Sequence, residues 1–343
     1  MNDNNVNGLK LGVIGAGSWG TALADLLASK GFNIDLWVFE KDVKEDIARL
    51  RENRVFLPDV KLSSNIKPTN DFEKVISGKD LLLLVVPSHL MRETAKKIAS
   101  LVTSEMTIVS ASKGIENKTH LTMTGVLGEI LSHIPENRFA ALSGPSFARE
   151  VAKKAPTLVV AASKDQQTAE LVQHVFATPY FRVYTSNDIT GVELGGAAKN
   201  VIAIASGMAD GLDFGFNTRA AIITRGLTEI RRLGLKLGAN PRTFVGLAGV
   251  GDLLLTCTGN LSRNYTVGKL LGKGQKIDNI LSEMRMVAEG VKTAKSLYNL
   301  SRRIGVEMPI SCEIYNILYN SVAPEEAVCK LMTRGLREEL DEI

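Results

Sequence analysis

Cysteine is scarce in this 343-residue sequence, and its spacing argues against two classes of protein. Cys257, Cys312 and Cys329 form no CxxC pair and have no histidine nearby at metal-ligand spacing. The sequence therefore disfavours a structural zinc site and a disulfide framework, and we expect no metal. A protein of the reducing cytoplasm fits this cysteine usage.

Long apolar segments and blocks of like charge are also missing. The longest purely aliphatic run, Leu81–Val86, is too short to cross a bilayer, and the polar N-terminus has no basic segment typical of a signal peptide. Lys and Arg number 41 against 37 Asp and Glu, a net charge of +4 spread along the chain. We therefore expect no membrane span and no nucleic-acid partner, and a small anionic ligand fits the mild positive surplus.

Over the first 185 residues, short β-rich runs alternate with helical stretches, the pattern of a parallel sheet covered by helices on both faces. After Asp188, strand patterns stop and helices separated by glycine follow. We expect a doubly wound α/β domain over residues 1–188 and an all-helical domain over residues 189–343. The predicted strands are Leu9–Ile14, Asn33–Phe39, Asp80–Val86, Met106–Ser110, Arg138–Leu142, Thr157–Ala162 and Phe181–Tyr184; the predicted later helices are Val192–Met208, Thr218–Leu233, Asn279–Met286, Gly290–Arg303, Ser311–Tyr319 and Pro324–Thr333.

A glycine-rich turn, Gly15-Ala16-Gly17-Ser18-Trp19-Gly20, follows the first predicted strand and precedes a helix. Gly15 permits a tight turn, Gly17 lets the backbone approach a pyrophosphate, and Gly20 lets helix and strand pack closely. The N-terminus of the helix presents N–H groups to anionic oxygens. Strand, turn, helix, second strand and an acidic residue arrive in the order typical of a Rossmann-type dinucleotide-binding domain.

Glu40 is that acidic residue, and it stands at the end of the second predicted strand. Its carboxylate is expected to accept hydrogen bonds from the adenosine ribose and to repel a 2'-phosphate, which favours NAD over NADP. The neighbouring Lys41 weakens this inference, because a cation there could pair with the additional phosphate. NADP therefore stays the alternative cofactor.

Lys113 follows another strand end, in the segment Ser110–Gly114. Ligands of such sheets bind beyond the carboxyl ends of the strands, so this cation is expected near the reactive end of the cofactor. A solvated loop lysine is the alternative interpretation.

A nearly apolar helix is predicted at Gly191–Ala209, and it contains Lys199. Helical side chains lean toward the N-terminus, so Lys199 is predicted to project over Gly195 and Gly196, with open space beside the ammonium. A buried charge must be paired, neutralised by a lowered pKa, or needed for chemistry. An ion pair with Glu193 or another carboxylate is the structural alternative to a role as a general acid or base.

Further polar residues follow a glycine-rich segment. Asp252 and Thr256 lie four residues apart and would share one face of a helix. Shortly after them, Ser262-Arg263-Asn264 offers donors suited to a phosphate or a carboxylate. Cys257 is expected to be a packed thiol, because no histidine is nearby to activate it.

With these residues in place, the sequence resembles the bacterial-type NAD(P)-dependent glycerol-3-phosphate dehydrogenases. The matching segments run in order over nearly the whole chain: GAGSWGTALA, FLPDV, VVPSH, SKGIE, SGPSFAREV, GVELGGAAKNVIAIASGMADG, ITRGLTEI, GVGDLLLTCTGNLSRN, EG at Glu289 and MPI at Met308. Any one segment is modest support, whereas the ordered set is highly specific.

The resemblance implies an enzyme that interconverts dihydroxyacetone phosphate and sn-glycerol 3-phosphate for phospholipid synthesis. It also implies a homodimer with a second domain like the C-terminal domain of 6-phosphogluconate dehydrogenase. In the implied reaction Lys199 exchanges the proton of the carbonyl oxygen, Lys113 and Asp252 are also catalytic, and Arg263 holds the phosphate. The implied substrate contacts are Lys113, Gly144, Ser146, Lys199, Asn200, Asp252, Thr256, Ser262, Arg263 and Asn264; the cofactor contacts are Gly15, Gly17, Ser18, Trp19, Gly20, Phe39, Glu40, Lys113, Ala148, Arg263, Val287 and Glu289.

The chain departs from this resemblance after the Leu-Trp pair of the second strand. Many relatives carry His or Arg there, whereas this chain has Phe39-Glu40. The departure puts a preference for NADPH in doubt and agrees with the expectation of NAD.

Two other functions stay open from the sequence. A dehydrogenase of the 3-hydroxyacid or 6-phosphogluconate type also carries a lysine in a helical second domain. There, the lysine and its asparagine stand about one turn apart, whereas Lys199 and Asn200 are adjacent. A catalytically silent NAD-binding sensor is the other alternative, and it would need neither Lys199 nor Arg263.

Overall fold

The computed structural model describes residues 6, 8–284, 286–336 and 338–339. They divide into two compact units. The first contains the described residues up to Lys113 and Met123–Ile189; the second contains Gly114–Thr122 and the described residues from Thr190 onward. A domain boundary after Asp188 stays a prediction.

The first unit is built on an eight-stranded sheet with strand order β3-β2-β1-β4-β5-β6-β7-β8. This extends the doubly wound order 3-2-1-4-5-6 of dinucleotide-binding sheets and confirms the predicted α/β class. The strands are β1 (Leu11–Ile14), β2 (Ile34–Trp37), β3 (Ile66–Thr69), β4 (Leu81–Leu84), β5 (Thr107–Ser110), β6 (Phe139–Ser143), β7 (Thr157–Ala162) and β8 (Phe181–Ser186).

Seven helices accompany this sheet within the described part of the first unit. Apolar residues on one face of the first helix, among them Leu23, Leu26 and Leu27, are buried as its periodicity predicts. The helices are α1 (Ser18–Ser29), α2 (Lys41–Leu50), α3 (Phe72–Ile76), α4 (Met91–Ile98), α5 (Met123–Ile130), α6 (Ala148–Ala152) and α7 (Gln166–Phe176).

Two features of the sheet differ from the sequence prediction. Strand β7 runs antiparallel to β6, with Leu142 opposite Ala161, whereas a uniformly parallel sheet was expected. The short α6 connection reverses the chain at this point, which an antiparallel pair permits. The edge strand β3 was not predicted, because only Ile66 in it is buried and Pro68 disfavours strand structure.

The second unit is helical throughout its described part after β8, as predicted, and all six predicted helices are present with ends shifted by a few residues. None of the helices in the described ranges is long and apolar enough to cross a bilayer. The helices are α8 (Ile189–Gly211), α9 (Phe216–Lys236), α10 (Asp252–Thr258), α11 (Arg263–Gly272), α12 (Ile277–Glu283), α13 (Glu289–Ile304), α14 (Pro309–Asn320) and α15 (Pro324–Met332).

Helices α8 and α11 cross in close contact because each has glycines on the facing side. A Cβ atom on Gly207 would stand 2.0 Å from the Tyr265 carbonyl oxygen, and one on Gly268 would stand 1.9 Å from the Ile204 carbonyl oxygen. Real side chains essentially never make such contacts, so glycine is required for this helix separation. This close crossing places the start of α11 beside the middle of α8, where Lys199 and Asn200 lie.

Replacing Gly268 with alanine should therefore destabilise the protein, since the new methyl group forces α11 away from α8. We expect Gly268→Ala to lower the free energy of unfolding by about 1–3 kcal/mol. Gly128→Ala in α5 is the matched control, because no described atom lies within 4 Å of its Cβ position. That change should stabilise by about 0.5–1 kcal/mol. Urea unfolding of both variants measures the difference, and equal effects would contradict the proposed crossing.

Candidate active site

The glycine-rich turn between β1 and α1 has the backbone geometry of a dinucleotide-binding loop. Gly15 adopts φ +113°, a conformation that other residues rarely take. A Cβ on Gly20 would stand 1.9 Å from the Gly15 carbonyl oxygen, so the first turn of α1 lies directly against the loop. Glycine is needed at both positions for helix and loop to approach this closely.

Gly17 plays a different part, because space is open beside it. No described atom lies within 4 Å of the position that a Gly17 Cβ would take. Gly17 is also the N-cap residue of α1, whose first-turn N–H groups carry the positive end of the helix dipole. An anionic pyrophosphate fits this half-buried turn of backbone donors, and NAD and NADP both contain one.

Ser18 and Trp19 begin α1 and are both half-buried. The Ser18 Oγ donates a hydrogen bond to the Phe56 carbonyl at 2.5 Å. The Trp19 ring packs at a tilt against Phe181, with 6.5 Å between ring centroids. The buried Trp19 Nε1 has no hydrogen-bond partner among the described residues.

Phe39 and Glu40 follow β2, and Ala148 begins α6. The Phe39 side chain is 74% exposed, which is unusual for a large apolar ring. Glu40 is the half-buried N-cap residue of α2. All three positions therefore lie at the ends of elements of the first unit, where predicted ligand contacts are expected.

Lys113, Gly144 and Ser146 are brought together in the first unit although they come from different loops. The Lys113 Nζ donates to the Gly144 carbonyl at 3.1 Å, and the Ser146 Oγ donates to the same oxygen at 3.2 Å. Gly144 has φ +144°, and a Cβ there would stand 2.9 Å from the Val159 Cα atom. The ammonium and the hydroxyl therefore converge on one carbonyl group of the SGPS turn.

Lys199 lies at the centre of the second group of predicted residues. Its Nζ donates to the Asp252 Oδ1 at 2.6 Å and to the Thr256 Oγ1 at 2.5 Å. The three residues are 6%, 1% and 3% exposed, and the Thr256 hydroxyl donates in turn to the Asp252 carbonyl at 2.6 Å. Asp252 and Thr256 share one face of α10, as their spacing predicts. The carboxylate supplies the counter-charge that a buried ammonium requires.

The expectation of open space beside Gly195 is wrong. A Cβ at Gly195 would stand 2.3 Å from the Ala248 carbonyl oxygen, so the backbone of a π-helical turn, Leu247–Gly251, fills this position. The absence of a side chain at Gly195 serves close packing rather than a pocket. This packing also carries the chain into α10, where it places Asp252 and Thr256 beside Lys199.

Asn200 and Asn264 form a second buried cluster next to Lys199. The Asn264 Nδ2 donates to the Asn200 Oδ1 at 2.9 Å, and the Asn264 Oδ1 accepts the Gly290 N–H at 2.9 Å. A Cβ on Gly290 would stand 2.6 Å from the Asn200 carbonyl oxygen. One amide side chain therefore ties α8 and α11 to the first turn of α13, which also carries the predicted cofactor contact Glu289.

The three residues of the predicted Ser262-Arg263-Asn264 donor group have different partners. The Ser262 Oγ caps α11 by accepting the Tyr265 N–H at 3.2 Å, and Asn264 points into the buried cluster. Arg263 is exposed, and its Nη1 donates to the Val287 carbonyl at 2.8 Å. Arg263 and Val287, both predicted cofactor contacts, are thus joined.

Cys257 lies behind the Lys199 cluster and is a packed thiol, as predicted. It is buried in the helical core. Burial raises the pKa of the thiol to about 12, which outweighs the opposing effect of the Lys199 charge. A neutral thiol is a poor nucleophile, so Cys257 is excluded from nucleophilic chemistry at neutral pH.

Asn53 and Thr21 were missed by the sequence analysis. Both are fully buried and hydrogen bonded to the glycine-rich turn. Thr21 lies only one residue beyond the fingerprint, and Asn53 shortly precedes the recognised FLPDV segment. Asn53 is a polar residue between two charged neighbours, Glu52 and Arg54, so no hydrophobic periodicity in the sequence predicts that it is buried.

Two family descriptions match the chain in order. NAD-dependent glycerol-3-phosphate dehydrogenase N-terminus matches residues 10–169, and NAD-dependent glycerol-3-phosphate dehydrogenase C-terminus matches residues 188–329. Together they cover most of both units.

Individual proteins are similar over nearly their full lengths. A glycerol-3-phosphate dehydrogenase [NAD(P)+] from Syntrophobacter fumaroxidans is 56% identical, covering 96% of this chain and 97% of the relative. One of the same description from Geobacter metallireducens is 54% identical, covering 97% of this chain and 99% of the relative. The crystal structure of glycerol-3-phosphate dehydrogenase from Coxiella burnetii has a TM-score of 0.91 and 37% identity, covering 95% of this chain and 99% of that chain.

Proposed function

Because this chain belongs to the NAD-dependent glycerol-3-phosphate dehydrogenase family, we propose that it interconverts dihydroxyacetone phosphate and sn-glycerol 3-phosphate at Lys199. It is an oxidoreductase, and its cofactor is a nicotinamide dinucleotide, NAD or NADP. The product in the reducing direction is the backbone of glycerophospholipids, which assigns the enzyme to lipid biosynthesis. Its small-molecule partner is this phosphorylated three-carbon substrate.

The observation that carries the proposal is the buried Lys199 ammonium with its two partners. Asp252 and Thr256 hold its Nζ in one position and supply a compensating charge. Lysine in such an environment can serve as a general acid and base. A sensor protein with no chemistry to perform would not need a lysine at this position.

In the proposed reduction, Lys199 donates a proton to the carbonyl oxygen of the ketone as negative charge develops there. When bound, the nicotinamide supplies the hydride. Asp252 supplies the counter-charge of the ammonium, and Thr256 helps to orient it. Lys113, held on the Gly144 carbonyl, is proposed to stabilise the same developing charge. In the oxidising direction Lys199 accepts the proton from the alcohol.

Arg263 is proposed to bind the phosphate of the substrate and to contact the cofactor. Arg263 is an exposed residue whose guanidinium is braced on the Val287 carbonyl, so its fork of donors is preorganised. Binding energy from a group remote from the reacting carbon can position the carbonyl for reaction. Gly144, Ser146, Asn200, Ser262 and Asn264 are the other proposed substrate contacts.

The cofactor is proposed to bind the glycine-rich turn with its pyrophosphate at Gly17 and the start of α1. Glu40, at the N-cap of α2, is proposed to bind the ribose hydroxyls and to favour NAD. Residues 1–188 are proposed as the cofactor domain and residues 189–343 as the substrate domain. The other proposed cofactor contacts are Gly15, Ser18, Trp19, Gly20, Phe39, Lys113, Ala148, Arg263, Val287 and Glu289.

Replacing Lys199 with methionine should remove the proton donor and leave the cofactor site intact. We expect Lys199→Met to lower kcat by about 10² or more with dihydroxyacetone phosphate and NADH. The NADH dissociation constant, measured by fluorescence, should stay unchanged. Lys269→Met is the matched control, because Lys269 also pairs with an aspartate, Asp210, at 2.7 Å.

The control should keep kcat within about twofold, since a partly exposed ion pair contributes little. Near-normal turnover of the Lys199 variant would contradict the proposed role. Absence of both NADH and NADPH oxidation by the wild-type enzyme with this ketone would contradict the proposed function as a whole.

Glu40→Ser should reduce the preference for NAD. The variant loses a charged acceptor for the ribose hydroxyls and the repulsion of a 2'-phosphate, so the ratio of kcat/KM for NADH to that for NADPH should fall about tenfold. Glu45→Ser, within α2, makes the same charge change at an exposed position and serves as the control. An unchanged ratio in the Glu40 variant would exclude Glu40 from the cofactor site.

The assembly is proposed to be a homodimer, the commonest symmetric oligomer. Sedimentation should give twice the chain mass of 37.1 kDa, and a mass of one chain would contradict the proposal. The reducing cytoplasm is the proposed location, where the free thiols of Cys257, Cys312 and Cys329 stay reduced.

A further inference from the structure

A buried polar cluster lies directly beneath the glycine-rich turn. The Asn53 Nδ2 donates to the Ala16 carbonyl at 2.8 Å and to the Thr21 Oγ1 at 2.8 Å. The Thr21 Oγ1 donates to the same Ala16 carbonyl at 3.1 Å. Asn53 and Thr21 are both 0% exposed. The carbonyl at the centre of the turn is therefore held by two donors from the protein interior.

Asn53 is itself held rigidly by the turn that follows it. Its Oδ1 accepts the Phe56 N–H at 3.0 Å, and its carbonyl accepts the Leu57 N–H at 2.9 Å. Leu57 is buried in the core, and the Phe56 carbonyl accepts the Ser18 hydroxyl at 2.5 Å. The amide orientation of Asn53 follows from these contacts, because its oxygen must face the Phe56 N–H and its nitrogen the Ala16 carbonyl.

Because the peptide bond is planar, fixing the Ala16 carbonyl also fixes the direction of the Gly17 N–H. In a trans peptide the carbonyl and the N–H of the next residue point in opposite directions. With the Ala16 carbonyl directed inward at Asn53 and Thr21, the Gly17 N–H is directed outward. Space is also open beside Gly17, because apart from its chain neighbours no described atom lies within 4 Å of its Cβ position.

We propose that Asn53, supported by Thr21, is a positioning residue that fixes the Ala16–Gly17 peptide so that the Gly17 N–H faces the pyrophosphate of the cofactor. This inference rests on the proposed cofactor site. A rotated peptide would present the Ala16 carbonyl oxygen to the phosphate and repel it. Asn53 thus acts through the backbone of the turn and does not itself contact the ligand.

Asparagine can hold the Ala16 carbonyl in this orientation, whereas aspartate, which has nearly the same shape, cannot. Aspartate keeps the oxygen that accepts the Phe56 N–H but replaces the donor nitrogen with a second oxygen. That oxygen would face the Ala16 carbonyl across the present 2.8 Å contact. The repulsion favours the rotated peptide, so the effect should be measurable as weaker binding of the dinucleotide.

The test measures the dissociation constant of NADH by fluorescence, independent of turnover. Asn53→Asp should raise it about tenfold, and Thr21→Val, which removes one of the two donors without changing shape, about threefold. Thr21→Ser keeps the hydroxyl and should restore binding close to wild type. In both weakened variants, kcat at saturating NADH should stay near wild type while KM for NADH rises.

Ser163→Ala controls for stability alone. Ser163 is also 0% exposed in the first unit, and its hydroxyl also donates to a backbone carbonyl, that of Phe139 at 2.7 Å. This variant should lower Tm without changing the NADH dissociation constant. If Asn53→Asp does not fold, the NADH dissociation constants of Thr21→Val and Thr21→Ser still test whether the buried hydroxyl supports cofactor binding.

The outcomes separate this inference from the proposed function. Wild-type protein that binds neither NADH nor NADPH would refute the cofactor site itself. Wild-type binding with an unchanged dissociation constant in Asn53→Asp and Thr21→Val would overturn the positioning role alone. A loss of kcat without weaker binding would also overturn it.

Discussion

The burial of the Lys199 ammonium is the constraint on which the helical unit depends. A charge with 6% exposure requires a partner at hydrogen-bond distance, and Asp252 can reach it only if α10 starts directly beside the middle of α8. The contact of Gly195 with the turn before α10 permits that approach. Helix packing and the position of the proposed proton donor therefore have one common cause.

Each unit contains a buried asparagine whose side-chain amide connects two other groups. Each carries a donor and an acceptor on one rigid amide, so each can hold two backbone or side-chain groups in a defined relative orientation. Asn264 joins Asn200 to the Gly290 N–H at the start of α13. Asn53 joins the Phe56 N–H to the Ala16 carbonyl in the glycine-rich turn. In both cases one buried amide holds together two segments that are distant in the chain.

Local patterns in the sequence predicted most elements because their signals are short-ranged. The seven predicted strands are rich in apolar or β-branched residues, and the long helix α8 is apolar along most of its length. The edge strand β3 was missed because an edge position needs only Ile66 buried and tolerates Pro68. The antiparallel direction of β7 was missed because direction depends on how a connection turns, which a strand's own residues do not encode.

The sequence by itself determined the α/β and helical halves, the glycine-rich turn and the identity of the lysine, since each follows from residue type, spacing or an ordered set of motifs. Tertiary structure decided which carboxylate neutralises Lys199, because its partner is 53 residues away in the chain. It also decided that Gly195 meets backbone and that Asn53 supports the turn. These facts depend on which distant segments meet, and a single chain without its fold carries no local signal of such meetings.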